Sequence, residues 1–156
     1  MENAPWFETI VMPALLRHAR NTYGTAMRRA LDAAGYDDVP RNGLYVIGGL
    51  ALGAGDVPLG RLVKELRVSK QAAGQLVDTL VARGYLERAA DPDDRRKLTV
   101  RLTERGQGAA AAQAAARQAI DAELLAQTSA EDVSRLRWML AVLVEIAHGP
   151  DAGAGD

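Results

Sequence analysis

The chain has 156 residues, 19 Lys and Arg against 20 Asp and Glu, no Cys, and only His18 and His148 as histidines. The length fits one structural domain extended by long helices. The missing Cys excludes disulfides, thiolate metal sites, a Cys nucleophile and a cysteine redox sensor, and two histidines make no His-rich metal cage. Its uncharged apolar runs fall well short of the roughly 20 residues needed to cross a bilayer. The first residues lack the basic-then-apolar pattern of a signal peptide. A cytoplasmic placement without a membrane partner is the expectation. Lys64, Lys70 and Lys97 are the only lysines, and Arg and Ala abound. Those two residues have GC-rich codons, which points to a bacterial source.

The net charge of −1 hides an asymmetry. Residues 58–105 carry eleven basic and seven acidic residues, whereas residues 1–57 carry five and six, and residues 106–156 three and seven. A basic middle between neutral and acidic ends points to a polyanion, with a solvated charged face as the alternative.

Residues 13–34 read as a helix. Pro13 suits its first turn, Gly35 its end, and Leu16, Ala19, Tyr23, Ala26, Met27 and Ala30 recur at helical spacing. After a linker holding Asp37, Asp38 and Pro40, a second helix is expected from a cap at Asn42 to Leu52. Gly43, Gly48 and Gly49 weaken it, which implies close helix packing or a kink. Residues 53–56 read as a turn.

Residues 59–66 form a short helix. Arg67-Val68 leads to Ser69, a strong cap, and a further helix to about Arg83, with Ala73, Leu76, Val77 and Leu80 inward. Gly84 ends it. Residues 85–88 and 98–102 read as two strands, the second with Leu98, Val100 and Leu102 on one face and Thr99 and Arg101 on the other. Asp91-Pro92-Asp93-Asp94 is a turn between them. Thr103 caps a long, Ala-rich helix to about Gln127, and Ser129 caps a final one bearing Val133, Leu136, Leu140, Leu143 and Ala147. Gly149-Pro150 stops it, and residues 149–156 read as a disordered tail.

Two short helices, a tight turn between them and a two-stranded ribbon make the winged helix-turn-helix plan. The second of the two helices is sized for the major groove. Its first turns present Ser69, Lys70, Gln71 and Gln75 to phosphates or base edges, and Ala72 and Gly74 allow close backbone approach. The ribbon loop projects Arg95, Arg96 and Lys97, and Arg on an extended tip suits a narrow minor groove.

These residues resemble a known family. The run from Asp91 to Lys97, followed by Leu98 to Gly106, is similar to the wing signature of MarR-type transcriptional regulators. Leu66 to Gln71 and Leu76 to Arg88 resemble that family's recognition helix and first wing strand. The resemblance is specific over residues 58–106 and rests on element order elsewhere. It implies a mostly α fold with a small β wing, dimerised through N- and C-terminal helices. On that plan residues 1–57 hold the N-terminal helices, 58–103 the DNA-binding lobe and 104–148 the C-terminal dimerisation helices, in one structural domain.

The resemblance further implies a homodimeric repressor on a pseudo-palindromic double-stranded operator, relieved by a small aromatic or phenolic ligand. Ser69, Lys70, Gln71 and Gln75 match its major-groove and phosphate positions. Arg95 and Arg96 match its wing, where one Arg typically enters the minor groove and the other can pair with Asp94 or Asp78. Two departures stand out. Arg67 replaces the Gly common in helix-turn-helix turns, and Gln75 replaces an Arg that family members often carry. Arg17, Arg20, Tyr23 and Tyr45 are the expected lining of an effector crevice between dimerisation helices and DNA-binding lobe. The ordinary reading of Tyr23, Tyr45 and Trp138 is core.

Two other classes compete with this one: a winged helix used as a protein-interaction module, and a constitutive DNA binder without an effector. The first should expose Leu, Ile or aromatic residues on the recognition helix, where this chain has Lys70, Gln71 and Gln75. The acidic run Asp91–Asp94 lacks the further spaced oxygen ligands of a calcium loop. It sits beside three cations, so turn formation is its expected role and no metal or other cofactor is expected. No Gly-rich phosphate loop and no His-Glu-x-x-His spacing is present, so an enzyme is not expected.

Overall fold

The computed structural model describes residues 5–53, 56–66 and 68–147. Arg67, the Ala54-Gly55 part of the turn, His148 and the tail with its Gly149-Pro150 stop lie outside the described residues. The chain forms two compact units, one up to Arg117 and one from Gln118.

A 3-10 turn at Trp6–Glu8 precedes α1 (Met12–Ala33), followed by α2 (Gly43–Leu52), β1 (Val57–Pro58), α3 (Leu59–Glu65), α4 (Lys70–Ala82), β2 (Leu86–Ala90), β3 (Leu98–Leu102), α5 (Glu104–Gln127) and α6 (Ala130–Ala147). Local chemistry sets most boundaries. Pro13 sits in the first turn of α1. Gly35 and Gly84 follow α1 and α4 with φ of 82° and 76°, the left-handed conformation that lets glycine close a helix. The Ser69 hydroxyl accepts the Ala72 N–H at 3.1 Å. Thr103 Oγ1 accepts the Gly106 N–H at 3.0 Å, and Ser129 Oγ accepts the Asp132 N–H at 3.1 Å. Asn42 does not cap α2 through its side chain, because its backbone is already helical at φ −91°, ψ −5°.

The wing is a three-stranded antiparallel sheet in the order β1-β3-β2, not a two-stranded ribbon. Val57 and Pro58 pair with Val100 and Thr99, while Leu86 to Ala90 pair with Leu102 to Leu98. The extra strand changes the faces expected of β3. Thr99 is buried between its two neighbours, with its hydroxyl 3.3 Å from the Ala89 carbonyl and 3.4 Å from Asp56 Oδ2. Leu98, beyond the end of β1, is exposed.

The core of the first unit joins Leu31 of α1, Val46 and Ile47 of α2, Leu62 of α3, Val77 and Leu80 of α4, Leu86 and Val100 of the sheet, and Ala109 of α5. Ala73 is buried with them and Leu76 is half-buried. Met27, one of the residues at helical spacing on α1, is a core residue. Small residues on α5 allow tight packing. A Cβ at Gly106 would overlap the Tyr85 carbonyl oxygen, and one at Gly108 the Tyr36 hydroxyl. Gly43 and Gly48 are packed against Leu80 and Gln113, whereas Gly49 faces open space.

In the second unit, Thr128 Oγ1 donates to the Leu124 carbonyl at 2.7 Å as α5 ends, and α6 follows. On α6, Leu136, Leu140 and Leu143 are exposed, as are Trp138, Met139, Val144 and Ile146. No helix of the described residues is long and apolar enough to cross a membrane.

Candidate nucleic-acid interface

Helix α4 is amphipathic. Ala73, Val77 and Leu80 anchor one face in the core, which leaves Lys70, Gln71 and Gln75 exposed on the other. Ser69 caps the helix start and is itself exposed, so its hydroxyl hydrogen can still be donated. Ala72 is exposed, and a Cβ added at Gly74 would meet nothing within 4 Å. The first two turns of α4 therefore present extended polar side chains (Lys70, Gln71 and Gln75) beside small ones, a surface on which a polyanion can seat closely. Val68, 47% exposed, precedes the cap.

The wing tip is built by its aspartates. Asp91 Oδ1 accepts the N–H groups of Asp93 at 2.8 Å and Asp94 at 3.3 Å, and the Asp91 N–H donates to the Lys97 carbonyl at 3.0 Å. This is an Asx turn closed by a backbone bond. Asp94 Oδ1 also accepts the Arg96 N–H at 3.1 Å. The turn carries Arg95, Arg96 and Lys97 outward, all exposed. Arg96 Nε and Lys97 Nζ lie 3.8 Å and 4.0 Å from Asp94. Such distances at a side chain 95% exposed, like that of Arg96, hold little energy, so these cations stay available. Asp78 does not serve the wing arginines: it is ion-paired with Arg88 on β2, which ties the outer face of α4 to the sheet.

The residues expected around an effector are only partly brought together. Arg20 stacks over the Tyr45 ring, its guanidinium carbon 4.7 Å from the ring centroid. Both line a cleft of about 670 Å³ between α1 and α2. They also line an adjoining cleft of about 690 Å³ that reaches Val68, Ala72 and Leu76 at the start of α4. Neither cleft is lined by Arg17 or Tyr23. Tyr23 is half-buried against the core, as its ordinary reading expects. Tyr45, at 39% exposed, and Trp138, at 65%, are not core residues of this chain.

A polar knot behind α4 has no counterpart in the sequence pattern. The Tyr85 side chain is buried, and its hydroxyl donates to Asp38 Oδ1. Arg105 Nη2 donates to the same carboxylate oxygen at 2.9 Å and to the Tyr85 hydroxyl at 3.0 Å, and its guanidinium stacks on the Tyr85 ring at 4.6 Å. The knot joins the α1–α2 linker, the end of α4 and the start of α5. The bond from Tyr85, reinforced by Arg105, holds the Asp38 carboxyl below its ordinary pKa. Burial, then the bond to Asp38, pushes the Tyr85 phenol up. Asp38, Tyr85 and Arg105 lie 20 to 67 residues apart, so no local pattern links them.

A MarR family model matches residues 37–97, the segment that runs from the α1–α2 linker through α4 to the wing tip. The fold is similar to that of Streptococcus pneumoniae FabT in complex with DNA, with a TM-score of 0.74 and 20% identity over 88% of this chain and 95% of that one. S. aureus MepR in its DNA-binding conformation gives 0.73 and 16% over 88% and 99%. The reduced form of MarR from E. coli gives 0.65 and 23% over 86% and 96%. Against curated proteins the sequence alone finds no match. The matched segment holds both α4 and the wing, and those structures share the fold along nearly their whole length: the chain has a winged-helix fold and is similar to the MarR family over residues 37–97.

Proposed function

We propose that the chain is a sequence-specific double-stranded DNA-binding repressor. In this reading it acts as a homodimer on a pseudo-palindromic operator and is released by a small aromatic or phenolic ligand. The observation that carries DNA binding is the juxtaposition, on one compact unit, of two exposed polar surfaces: the first turns of α4, and a wing tip whose three cations project from an Asx turn.

Each residue has a role in this reading. Lys70 and the Ser69 hydroxyl contact phosphates at the helix start. Gln71 and Gln75 read base edges in the major groove, where an amide can bond adenine N6 and N7. Arg95 and Arg96 reach the adjacent minor groove and its phosphates, helped by Lys97. FabT, solved with DNA, shares the fold and supports the reading. A protein-interaction role is disfavoured because Lys70, Gln71, Ala72 and Gln75 give α4 no exposed large apolar side chain at this face. The repressor's release is assigned to the cleft that holds Arg20 and Tyr45, beside the α4 start. There a ligand can bias recognition-helix placement, and a shift of about 1–3 kcal/mol changes occupancy about 5–150-fold.

The test is selection of bound fragments from random duplex DNA by the full chain. An enriched motif with two-fold symmetric half-sites is expected. Binding without enrichment, or none, would overturn the reading.

A further inference from the structure

Four arginines face one cleft between α1 and α2: Arg20, Arg28 and Arg29 from α1, and Arg41 just before α2. Asn21, Thr25, Asn42 and Tyr45 add polar groups to its walls, and among the described residues no Asp or Glu lines it. Elsewhere on this chain Arg61 pairs with Glu65 at 2.8 Å and Arg135 with Glu131 at 2.9 Å. Here the charges are left uncompensated.

The four differ in how firmly they are held. Arg28 is half-buried and donates to the carbonyls of Val39 at 2.7 Å and Pro40 at 3.2 Å. These neutral acceptors fix the guanidinium without cancelling its charge. Arg20 is held over Tyr45 by the cation–π stack. Arg29 and Arg41 are exposed, and among the described residues neither makes an ion pair. The cleft thus combines two preset charges with two that can close on a ligand, and the positive end of α2 opens onto it at Asn42. One carboxylate is matched by one arginine fork, so four uncompensated guanidiniums exceed what a monocarboxylate needs. Phosphate oxygens spread over several arginines meet the same geometry with charge to match.

We propose that this cleft binds a phosphorylated small molecule, a multivalent anion gripped by Arg29 and Arg41 over the fixed Arg28, with the Arg20–Tyr45 stack as the wall for its non-phosphate part. The binding claim stands on the cleft alone. Its consequence for DNA rests on the proposed repressor function, whose effector it specifies: Arg20, Arg41 and Tyr45 also line the adjoining cleft that reaches the α4 start, so binding changes operator affinity.

Full-length protein is titrated calorimetrically with inorganic pyrophosphate, and with benzoate as the monocarboxylate probe, at fixed ionic strength. Pyrophosphate is expected to bind saturably and benzoate at least about tenfold more weakly. Arg29→Ala and Arg41→Ala should each weaken pyrophosphate binding about tenfold, and Arg41→Lys by less. Circular dichroism of these exposed-site variants should match the parent. No saturable heat, benzoate binding as tight as pyrophosphate, or binding that survives the Arg29→Ala/Arg41→Ala double substitution would each overturn the proposal. Operator binding separates the two readings. If pyrophosphate does not bind while the double variant loses operator affinity and salt dependence, the arginines belong to the DNA footprint and the proposal is wrong. If pyrophosphate binds the parent and not the double variant, yet operator affinity never responds, the ligand site stands and the regulatory reading falls.

Discussion

Gly106 lies directly against the backbone carbonyl of Tyr85, so close that a side chain at 106 has no room. The neighbouring backbone is held on both sides: the Thr103 N–H donates to the same Tyr85 carbonyl at 3.1 Å, and the Gly106 N–H donates to Thr103 Oγ1. A methyl group there must displace backbone and not a flexible side chain. Gly106→Ala should therefore destabilise the protein by about 2–3 kcal/mol or more. Gly108→Ala meets the mobile end of Tyr36 and should cost less. Urea denaturation of both variants checks the order; equal midpoints would contradict it.

The Asp38–Tyr85–Arg105 knot sets a pH dependence whose sign follows from its shifts. The Asp38 pKa is lower in the folded protein than the ordinary value of about 3.9. Its contribution to stability is complete above that value and is lost as pH falls through the folded pKa. The Tyr85 phenol is pushed above its ordinary value of about 10, so its contribution is present below about pH 10 and lost as pH rises through the folded value. Asp38→Asn should flatten the acid limb of thermal stability below about pH 4, and Tyr85→Phe should flatten the alkaline limb. An Asp38→Asn variant whose acid limb keeps the parental slope would remove Asp38 from this role.

Helices are legible in this sequence because their signals are local: Ser69, Thr103 and Ser129 cap where their spacing implies, and Gly35 and Gly84 close helices in the left-handed conformation. The wing turn is legible for the same reason, since Asp91 bonds residues two and three positions on. What depends on distant pairing is not. Two residues of β1 carry no periodicity, and only their pairing with Thr99 and Val100 explains why Thr99 is buried and Leu98 exposed. Met27 joins Leu31 and Ile47 in one core cluster, a placement that helical spacing on α1 alone does not give. Of the expected effector residues, Arg20 and Tyr45 meet, while Arg17 and Tyr23 stay off the clefts. Helical spacing alone does not say which side of α1 the second helix covers.

The wing cations should govern affinity more than sequence choice. Arg95 and Arg96 sit on a turn whose shape is fixed by aspartate-to-backbone bonds, so replacing both with Ala leaves the turn intact. Binding to all duplexes should weaken, and the slope of log affinity against log salt should flatten by roughly 0.9 for each phosphate that is no longer neutralised. Fluorescence anisotropy over a salt series reads both quantities. A double variant with parental affinity and slope would take the wing out of the interface.

Gln75 should act on sequence choice instead. It lies one helical turn beyond Gln71 on the exposed face of α4, and the Gln75 carbonyl accepts the Thr79 hydroxyl at 2.8 Å without engaging the amide. Gln75→Ala is expected to relax preference at one base position in each half-site, at a cost of about 1–3 kcal/mol. Repeating the fragment selection with the variant measures this. An unchanged site preference would reduce Gln75 to a phosphate-binding or surface residue.

Oligomeric state follows from the apolar residues the chain leaves exposed. On α6, Leu136, Leu140 and Leu143 recur at heptad-like spacing, and Met139, Val144 and Ile146 widen the apolar arc. At the other end, Trp6, Phe7, Val11 and Met12 are exposed on and before the first turn of α1. Exposed apolar surface of this extent marks an interface. The two-fold arrangement expected for a reader of symmetric half-sites provides one. Light scattering at micromolar concentration should give a mass near twice 16.7 kDa. Leu136→Glu with Leu140→Glu should shift the protein toward monomer and weaken operator binding far more than binding of a single half-site. These positions are exposed, so the first unit should keep its fold and its near-parental half-site affinity. A parental protein that runs as a stable monomer would refute the dimer. A double variant that stays dimeric would move the interface away from α6.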